Sequence, residues 1–395
     1  MNSDKLTSLY MDRMRNHLKL APCVAVNADP FIQHYSSATA RSVSKSNTGV
    51  GFSVSPETES EMMGLRNLQV KSRVNVSDRN LLCMSVKDGE IVVGGADHGL
   101  RVVKKSGTVL KSAQTLYSKK FGHSDWVTAV EIFHDGRIVS GGMDSKICVW
   151  RGVQCKDLLG HVGSISAIKS LGESHILSSS YDRSLKIWNI NNSSPIASLH
   201  GHKGAIIDCI LSMDNAAISA GRDGNVFVWD VSRAKSKISF AAHTGHVTGV
   251  SRTIDNQVIV SGGHDGFVRF WDTRSPTMVH EDRTTGGQPI TIIDSNPERG
   301  RIVSVSASSH VSIIDCRKMT RVHTWTEQAT NHVYSTRYLN DGVLLGTGNG
   351  MIVARTEGGI ESSKIQADQN AIRCIHADKS GTVVVATDDG NVIAL

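Results

Sequence analysis

The amino-acid sequence predicts an all-β protein built from small antiparallel sheets that repeat along the chain. A tryptophan ends a short apolar run at Trp150, Trp188, Trp229 and Trp271, and this spacing of about 40 residues indicates a repeat architecture. Each interval holds four short strand-like runs separated by Gly, Asp and Ser turn signals, as in "RIVSGG" followed by "MDS". Four short strands repeated with this period are typical of the blades of a β-propeller.

Three further residue types recur in register with each tryptophan. An aspartate precedes the tryptophan by six residues, a serine precedes that aspartate by four, and a histidine lies about 21 residues before the aspartate. The four sets are His123, Ser140, Asp144 and Trp150; His161, Ser178, Asp182 and Trp188; His202, Ser219, Asp223 and Trp229; and His243, Ser261, Asp265 and Trp271. A buried indole needs an acceptor and a buried carboxylate needs donors. Side chains of these four types could therefore satisfy one another in each repeat if the fold brings them together.

The pattern of Gly-His, Ser, Asp and Trp resembles the WD-repeat family. The tryptophan–aspartate pair is literal at Trp229-Asp230 and Trp271-Asp272 and altered at Trp150-Arg151 and Trp188-Asn189. The resemblance implies a β-propeller in which the histidine loop and the aspartate turn lie at the same end of each blade. We therefore predict that the four residues form one hydrogen-bond network in each repeat, which fixes the loops of its blade.

Four weaker units extend the array. Aligned on their turns, they give Asp97 with Val103, Ser308 with Ile314, Asn349 with Ala354, and Asp389 with Leu395. The sequence then predicts eight four-stranded blades, with seven, the commoner number in the family, as the alternative. Because the last unit lacks a fourth strand, we expect Leu68–Val76 to complete it, which would close the ring and remove exposed strand edges.

The recurring serine, histidine and aspartate are also the residue types of a hydrolase triad. We predict no catalytic site, because a triad need occur only once and because the indole occupies the serine hydroxyl in every repeat. The sequence contains neither a GxxxxGK[ST] phosphate loop nor an HExxH metal motif. We therefore expect no enzymatic activity, no cofactor and no small-molecule substrate.

The seven cysteines predict neither a disulfide framework nor a zinc site. No CxxC pair occurs, and Cys83, Cys148, Cys209 and Cys374 lie inside apolar runs. These cysteines are typical of small buried apolar residues in a reducing compartment, so no metal site is expected.

Residues 1–63 are predicted to form an N-terminal arm and residues 64–395 the propeller. Lys5–Leu20 has one apolar helical face, and Ser36–Gly49 has the composition of a disordered linker. The helix could pack on the propeller, dock in a partner's groove or target mitochondria, although its acidic residues disfavour targeting. With no secretory segment and no apolar run long enough for a membrane span, we expect a protein that is not secreted and is cytoplasmic, with nuclear and cytoskeletal or ciliary locations as alternatives.

Two loop positions in each well-marked repeat are candidates for partner binding. One lies just before the first strand of the repeat and the other just before the turn aspartate. The candidate residues are Trp126, Met143, Ser164, Tyr181, Arg222, His246 and His264. Trp, Tyr and Arg are the types that dominate interface energies. Packing within its own blade is the competing interpretation for each residue.

The resemblance to the WD-repeat family, together with these loop residues, implies a scaffold that binds peptide segments of other proteins on the loop face of the propeller and assembles a multi-protein complex. The alternative is an RNA-associated propeller subunit, for which Lys71–Arg79 and Tyr117–Lys120 are short basic candidates. The net charge of +6 is small for a chain of 395 residues, so nucleic-acid binding is not favoured.

Overall fold

The computed structural model describes residues 68–111, 113–116, 121–133, 135–212, 216–253, 257–283, 287–296, 298–327, 332–339, 342–377 and 382–395. The arm expected at residues 1–63 and the basic stretch at residues 117–120 lie outside these ranges. Within the part of the chain that is described, no helix has the length and apolar character that crossing a membrane requires.

The regular structure of these residues is β-strand throughout, and the strands form eight antiparallel sheets. In chain order the strands are β1 (Ser72–Asn75), β2 (Leu81–Lys87), β3 (Glu90–Gly95), β4 (Leu100–Ser106), β5 (Val109–Leu110), β6 (Gln114–Leu116), β7 (Val127–Ile132), β8 (Ile138–Gly142), β9 (Ile147–Arg151), β10 (Gln154–Leu158), β11 (Ile165–Leu171), β12 (His175–Ser180), β13 (Ser184–Asn189), β14 (Pro195–His200), β15 (Ile206–Leu211), β16 (Ala216–Gly221) and β17 (Asn225–Asp230). The remaining strands are β18 (Lys235–Ala241), β19 (Val247–Arg252), β20 (Val258–Gly263), β21 (Phe267–Asp272), β22 (Met278–Arg283), β23 (Ile290–Asn296), β24 (Arg301–Ser306), β25 (His310–Asp315), β26 (Thr320–Thr326), β27 (Val333–Leu339), β28 (Gly342–Thr347), β29 (Met351–Thr356), β30 (Glu361–Gln366), β31 (Ile372–Ala377), β32 (Val383–Thr387) and β33 (Asn391–Ala394).

Each sheet is one blade of an eight-bladed β-propeller. Blade 1 contains β2–β6, and blades 2 to 7 each contain four consecutive strands, from β7–β10 through β27–β30. Blade 8 combines β31, β32 and β33 with β1. The prediction of eight blades is therefore confirmed, and seven is excluded.

The ring closes through its N-terminal strand, as predicted. Strand β1 pairs antiparallel with β33, from Ser72 opposite Ala394 to Asn75 opposite Asn391. This strand is shorter than the Leu68–Val76 stretch expected from the sequence. The pairing covers the outer edge of the last blade, which would otherwise present unpaired backbone groups.

The outer edge of blade 1 differs from the simple four-stranded pattern. Instead of one outer strand, β5 pairs with the end of β4 and β6 pairs with its beginning. The two short strands bury Leu110 and Leu116 and together take the place of a single strand.

The blades pack face to face, and the second strands β8, β16 and β28 are buried along their whole length. Small residues let neighbouring blades approach closely. A Cβ atom on Gly141 of β8 would lie 2.5 Å from the Ile165 side chain of the next blade. Continuous apolar and small residues in these strands follow from burial on both faces.

The strand end of blade 7 corrects one alignment made from the sequence. Arg355, not Ala354, lies opposite Val343 at the position that Trp150 occupies opposite Ile138 in blade 2. An arginine at this strand end departs from the apolar residues Val103, Ile314 and Leu395 of the other weak units, so its residue type does not mark the position in the sequence. Arg355 is accommodated because its Nε donates to the buried carboxylate of Glu327 at 2.8 Å.

Candidate functional site

The loop end of blade 4 shows the predicted network in full. The indole Nε1 of Trp229 donates to Ser219 Oγ at 2.8 Å, and Ser219 Oγ lies 2.8 Å from His202 Nε2. His202 Nδ1 lies 3.1 Å from both carboxylate oxygens of Asp223. Asp223 also accepts the backbone N–H of Lys203 at 2.6 Å and that of Asn225 at 3.1 Å, so the carboxylate is held by both loops.

The same connections join the predicted sets of blades 2, 3 and 5. Their indole-to-hydroxyl distances are 3.0, 2.8 and 2.9 Å in that order. Their hydroxyl-to-Nε2 distances are 2.8, 2.8 and 2.9 Å, and their shortest Nδ1-to-carboxylate distances are 3.0, 2.6 and 2.8 Å. The structure thus brings all sixteen predicted network residues into four equivalent clusters.

The chain of donors assigns the histidine tautomer. An indole N–H can only donate, so the serine oxygen accepts it and the serine hydroxyl points to Nε2. Nε2 is then the acceptor, and Nδ1 carries the hydrogen that is donated to the aspartate. Burial lowers the pKa of His161 and of His243, which favours this neutral form.

The four aspartates remain ionised despite burial. Burial alone would raise the pKa of Asp265, but its bonds to Arg269 and His243 bring it down to about 2. The pKa values of Asp144, Asp182 and Asp223 are lowered by their histidine partners in the same way, against the effect of burial.

The serines of these networks are not arranged as nucleophiles. Ser140, Ser178, Ser219 and Ser261 are each fully buried. In each case the hydroxyl oxygen accepts a hydrogen bond from an indole N–H, so a substrate carbonyl cannot approach it. Each of the four clusters therefore links the two loops of its blade to the strands through hydrogen bonds.

A second set of positions forms the rim of the loop face. We call them rim pairs: in each blade, the residue before the first strand and the residue before the turn joining the second and third strands. The pairs are Asn80 and Ala96, Trp126 and Met143, Ser164 and Tyr181, Ala205 and Arg222, His246 and His264, Pro289 and Ala307, His332 and Gly348, and Ala371 and Asp388. In every pair the backbone N–H of the second residue donates to the carbonyl of the first at 2.8 or 2.9 Å.

The rim is unequal around the ring. Large side chains of the rim pairs are concentrated in blades 2 to 5, where Trp126, Met143, Tyr181 and Arg222 are half-buried and His246 is exposed. In blades 1, 6, 7 and 8 the second member of the pair is Ala96, Ala307, Gly348 or Asp388. One half of the loop face therefore carries the bulky groups.

The bulky half of the rim is continuous across blade boundaries. The Ser164 hydroxyl of blade 3 donates to the Met143 carbonyl of blade 2 at 3.4 Å. The guanidinium carbon of Arg222 in blade 4 lies 5.3 Å from the ring centroid of Tyr181 in blade 3. The rings of the last predicted pair, His246 and His264, are tilted with centroids 5.9 Å apart.

Four stretches of this chain match the protein-family model described as "WD domain, G-beta repeat". The matched residues are 114–151, 152–189, 193–230 and 234–272, which are the four repeats with complete networks. The chain belongs to the WD-repeat family.

The WD-repeat propeller is also similar to two solved structures. The computationally designed Ika8 protein matches with a TM-score of 0.71 and 21% identity, over 82% of this chain and 99% of that protein. The WD40 β-propeller domain of Doa1 matches with a TM-score of 0.58 and 16% identity, over 82% of this chain and 96% of that domain. At these identities the likeness concerns the fold alone.

Curated relatives match parts of this chain. Ribosome biogenesis protein YTM1 of Eremothecium gossypii is 31% identical over 117 residues, covering 29% of this chain and 25% of that protein. Telomerase protein component 1 of Rattus norvegicus is 26% identical over 35% of this chain and 4% of that protein. Autophagic-related protein 16.2 of Caenorhabditis elegans is 28% identical over 58% of this chain and 45% of that protein. This chain thus covers less than half of the length of each of these relatives.

One cluster in the WD-repeat propeller escaped the sequence analysis. Cys148, Cys155 and Asp157 place their sulfur and carboxylate oxygen atoms within 4.8 Å of one another. The search for CxxC pairs could not find them, because they come together across the hairpin of β9 and β10. The signal that could have found them is a pair of cysteines on either side of a tight turn, at positions that place both on one face of the sheet.

Proposed function

We propose that this protein is a non-enzymatic scaffold that binds peptide segments of partner proteins on the loop face of blades 2 to 5. The observation that carries this proposal is the unequal rim. Trp126, Met143, Tyr181 and Arg222 follow one another across three neighbouring blades, whereas the opposite half of the ring has small residues at the corresponding turns. Trp, Tyr and Arg are the residues most enriched among interface hot spots.

The rim is well suited to binding because its loops are already fixed before a partner arrives. Each rim pair is tied by a backbone hydrogen bond, and in blades 2 to 5 the adjacent histidine and aspartate hold both loops to the sheet. Binding to fixed loops loses less conformational entropy than binding to loops that must order first. A few anchor residues on such loops are sufficient for a specific complex.

The charge of this half of the rim favours a partner segment that has acidic as well as apolar side chains. Arg183 and Lys203 are exposed in the loops beside Tyr181 and His202, and Arg222 lies on the same half of the rim, over the Tyr181 ring. Positive charges on an interface rim raise association rates with acidic partners and select against basic ones. We therefore propose an acidic peptide segment with apolar anchors as the ligand.

The proposal is tested by affinity capture with the full chain and matched rim variants. Trp126→Ala combined with Arg222→Ala removes two anchors from the bulky half, and Asn80→Ala combined with His332→Ala changes the opposite half by the same number of positions. We expect the first variant to lose most captured proteins and the second to retain them. Identical captured sets for the two variants and the unchanged chain would contradict the proposal.

A third variant separates loss of binding from loss of fold. Arg222→Glu reverses one charge at a half-buried rim position and leaves the Ser219, His202 and Asp223 network in place. We expect its thermal midpoint to stay within a few degrees of the unchanged chain. Its binding to an acidic captured segment should fall by about tenfold or more.

The names of two relatives favour a second candidate function, a subunit of an RNA-containing assembly. These relatives are the ribosome biogenesis protein and the telomerase component described above. Of the two basic stretches, Lys71–Arg79 is partly engaged within the fold, because Arg73 lies 3.6 Å from the Asp368 carboxylate. RNA binding that falls steeply as salt is raised would support this second function. Capture of the same proteins after nuclease treatment would support the peptide-binding scaffold.

A further inference from the structure

We propose that Cys148, Cys155 and Asp157 of blade 2 form a binding site for a thiophilic divalent cation, with Zn²⁺ as the expected ion. The site lies on the third and outer strands of the blade, β9 and β10, below the loop that carries His123. Nothing in the proposed peptide-binding function requires it, so the two proposals can fail independently.

The spacing of the donor atoms fits a tetrahedral zinc ion. Asp157 Oδ1 lies 3.5 Å from Cys148 Sγ and 3.7 Å from Cys155 Sγ. A zinc ion holds sulfur at about 2.3 Å and oxygen at about 2.1 Å, so tetrahedral sulfur and oxygen ligands are about 3.6 Å apart. The three ligand atoms, all within 4.8 Å of one another, would thus need only small movements to hold the ion.

The surroundings orient the carboxylate and balance the charge. The backbone N–H of Gly122 donates to Asp157 Oδ1 at 3.1 Å, and Lys146 Nζ lies 3.4 Å from Oδ2. Outer partners of this kind fix the orientation of a metal ligand. Two thiolates, one carboxylate, one divalent cation and the Lys146 ammonium sum to zero charge, so the loaded site does not bury a net charge.

The site is accessible from solvent at the edge of the sheet. β10 is the outer strand of blade 2, where Cys155 is half-buried and the Asp157 side chain is 12% exposed, whereas Cys148 is fully buried. An ion could enter beside Cys155 and displace one proton from each thiol. The fourth coordination position would be filled by water or by a ligand from outside.

Other blades show that the fold itself does not demand these residues. The positions of Cys148 and Asp157 face each other in the sheet register, and the corresponding pairs differ in chemistry from blade to blade. Lys186 donates to Ser198 at 2.8 Å in blade 3, and Arg269 pairs with Glu281 at 3.1 Å in blade 5. Because several polar pairs satisfy this position, a thiol–carboxylate pair with a second thiol beside it is specific to blade 2.

The register favours a metal site over a disulfide. Cys155 lies opposite Trp150 and Cys148 lies opposite Asp157, so the two cysteines are diagonal neighbours. Diagonal positions of an antiparallel pair are about 7–8 Å apart, longer than the usual Cα separation of about 4.4–6.8 Å in disulfides. A shared ion can bridge this distance, whereas a disulfide would require the strands to move.

The test is a cobalt titration of the reduced, metal-free full chain, followed by displacement with Zn²⁺. We expect one Co²⁺ per chain, with the thiolate-to-cobalt charge-transfer band and the intense visible bands of tetrahedral Co²⁺, and release of about two protons. Cys155→Ser should abolish the charge-transfer band or weaken Zn²⁺ binding by about a hundredfold or more, since loss of an outer partner alone weakens binding by about 10–100-fold. Asp157→Asn should weaken it less.

Cys316→Ala is the matched control, because it removes one buried thiol from blade 6 and should leave the cobalt spectrum unchanged. Cys155 is half-buried, so the thermal midpoint of Cys155→Ser in the presence of a chelator should match that of the unchanged chain. Zn²⁺ should raise the midpoint of the unchanged chain but not that of Cys155→Ser. A cobalt spectrum without the thiolate band, its persistence in Cys155→Ser, or a Cys148–Cys155 disulfide in the freshly purified chain would overturn the proposal.

Discussion

Blades 4 and 6 are four-stranded sheets with the same strand order, but their buried polar side chains form different contacts. Ser219 in blade 4 accepts the Trp229 indole N–H and lies against His202. Ser304 holds the same position in blade 6, but the tryptophan position is Ile314, and within the described residues the buried Ser304 hydroxyl has no hydrogen-bond partner. The serine is therefore present in blade 6 although its indole partner is absent, and the sheet forms without the complete network.

The seam between blades 6 and 7 is held by charged groups. Arg301 of blade 6 pairs with Asp315 at 2.5 Å in its own blade and with Glu357 of blade 7 at 3.4 Å. The Tyr338 hydroxyl of blade 7 donates to the same glutamate. The Arg301–Glu357 ion pair connects two blades, whereas the histidine networks connect the loops of a single blade.

Blades 1 and 8 keep the loop connection with shorter side chains. In blade 1, Ser77 takes the histidine position and donates to Asp97 at 2.9 Å. In blade 8, Asp368 takes that position and accepts bonds from Thr387 at 2.6 Å and Asn391 at 2.8 Å. In blades 1 and 8 a polar contact between two loops thus forms without the histidine, serine, aspartate and tryptophan set.

The complete networks coincide with the bulky half of the rim. Blades 2 to 5 carry both the four histidine clusters and Trp126, Met143, Tyr181 and Arg222. A rigid loop holds an interface anchor at low entropic cost. We therefore expect the networks to contribute most to stability and binding in blades 2 to 5, where the loops carry anchors.

The largest difference is expected at the histidine position. His202→Ala leaves Asp223 without its buried partner and opens a cavity, so we expect the free energy of unfolding to fall by about 3 kcal/mol or more. Ser77→Ala removes one hydroxyl beside Asp97, but the Asp97 carboxylate still accepts a hydrogen bond from Arg101 at 2.7 Å. We expect this substitution to lower the free energy of unfolding by only about 1 kcal/mol. Urea unfolding followed by tryptophan fluorescence measures both values. Equal losses would show that the imidazole is not special to the complete networks.

The serine position should give effects of opposite sign. Ser219→Ala leaves the Trp229 N–H and His202 Nε2 without their shared partner, and we expect a loss of about 2 kcal/mol. Ser304→Ala removes a buried hydroxyl that has no partner in the described structure, and should leave stability unchanged or raise it by up to about 1 kcal/mol. A comparable loss in both variants, measured by urea unfolding, would contradict the difference between blades 4 and 6.

These substitutions also show how far the sequence could predict the molecule. The four networks were predictable because each joins residues whose spacing along the chain repeats, and ring closure followed from the missing strand of the last unit. The connections of blades 6 to 8 were not predictable. Arg301 and Glu357 lie on different blades and share no repeating spacing, and Arg355 replaces an indole by pairing with a glutamate that no pattern marks. Contacts between repeats leave no periodic signal.

Acid should weaken the complete networks first. The lowered pKa values of His161 and His243 mean that the folded chain favours the neutral imidazoles. Their contribution to stability is therefore complete above the ordinary histidine pKa of about 6.5 and is lost as the pH falls below it, because the unfolded chain binds protons more readily. The contribution of Asp265 to stability is lost only at much lower pH, because the pKa of its carboxyl group is about 2.

We expect the urea midpoint to fall between about pH 7 and about pH 5. The fall should be smaller in a variant that combines His161→Asn with His243→Asn, although that variant is less stable at pH 7. Ser77→Ala serves as the control, since it changes a histidine-free blade and should keep the pH dependence of the unchanged chain. The same pH dependence in the double variant would show that other groups control the response to acid.

The smallest effect is expected at the seam between blades 6 and 7. Arg301→Met keeps the apolar part of the side chain and removes the charge that joins Asp315 and Glu357. Because the Arg301 side chain is 22% exposed, solvent screens these pairs, and we expect a loss of only about 1 kcal/mol. Raising NaCl from about 0.1 M to about 1 M should narrow the gap in stability between the unchanged chain and Arg301→Met, since salt screens charged pairs. The gap between the unchanged chain and Ser219→Ala should not change, because the serine–histidine bond joins neutral groups. If salt changes the stability differences of Arg301→Met and Ser219→Ala equally, apolar packing holds blades 6 and 7 together. The expected difference between charged and neutral hydrogen-bonded contacts would then be wrong.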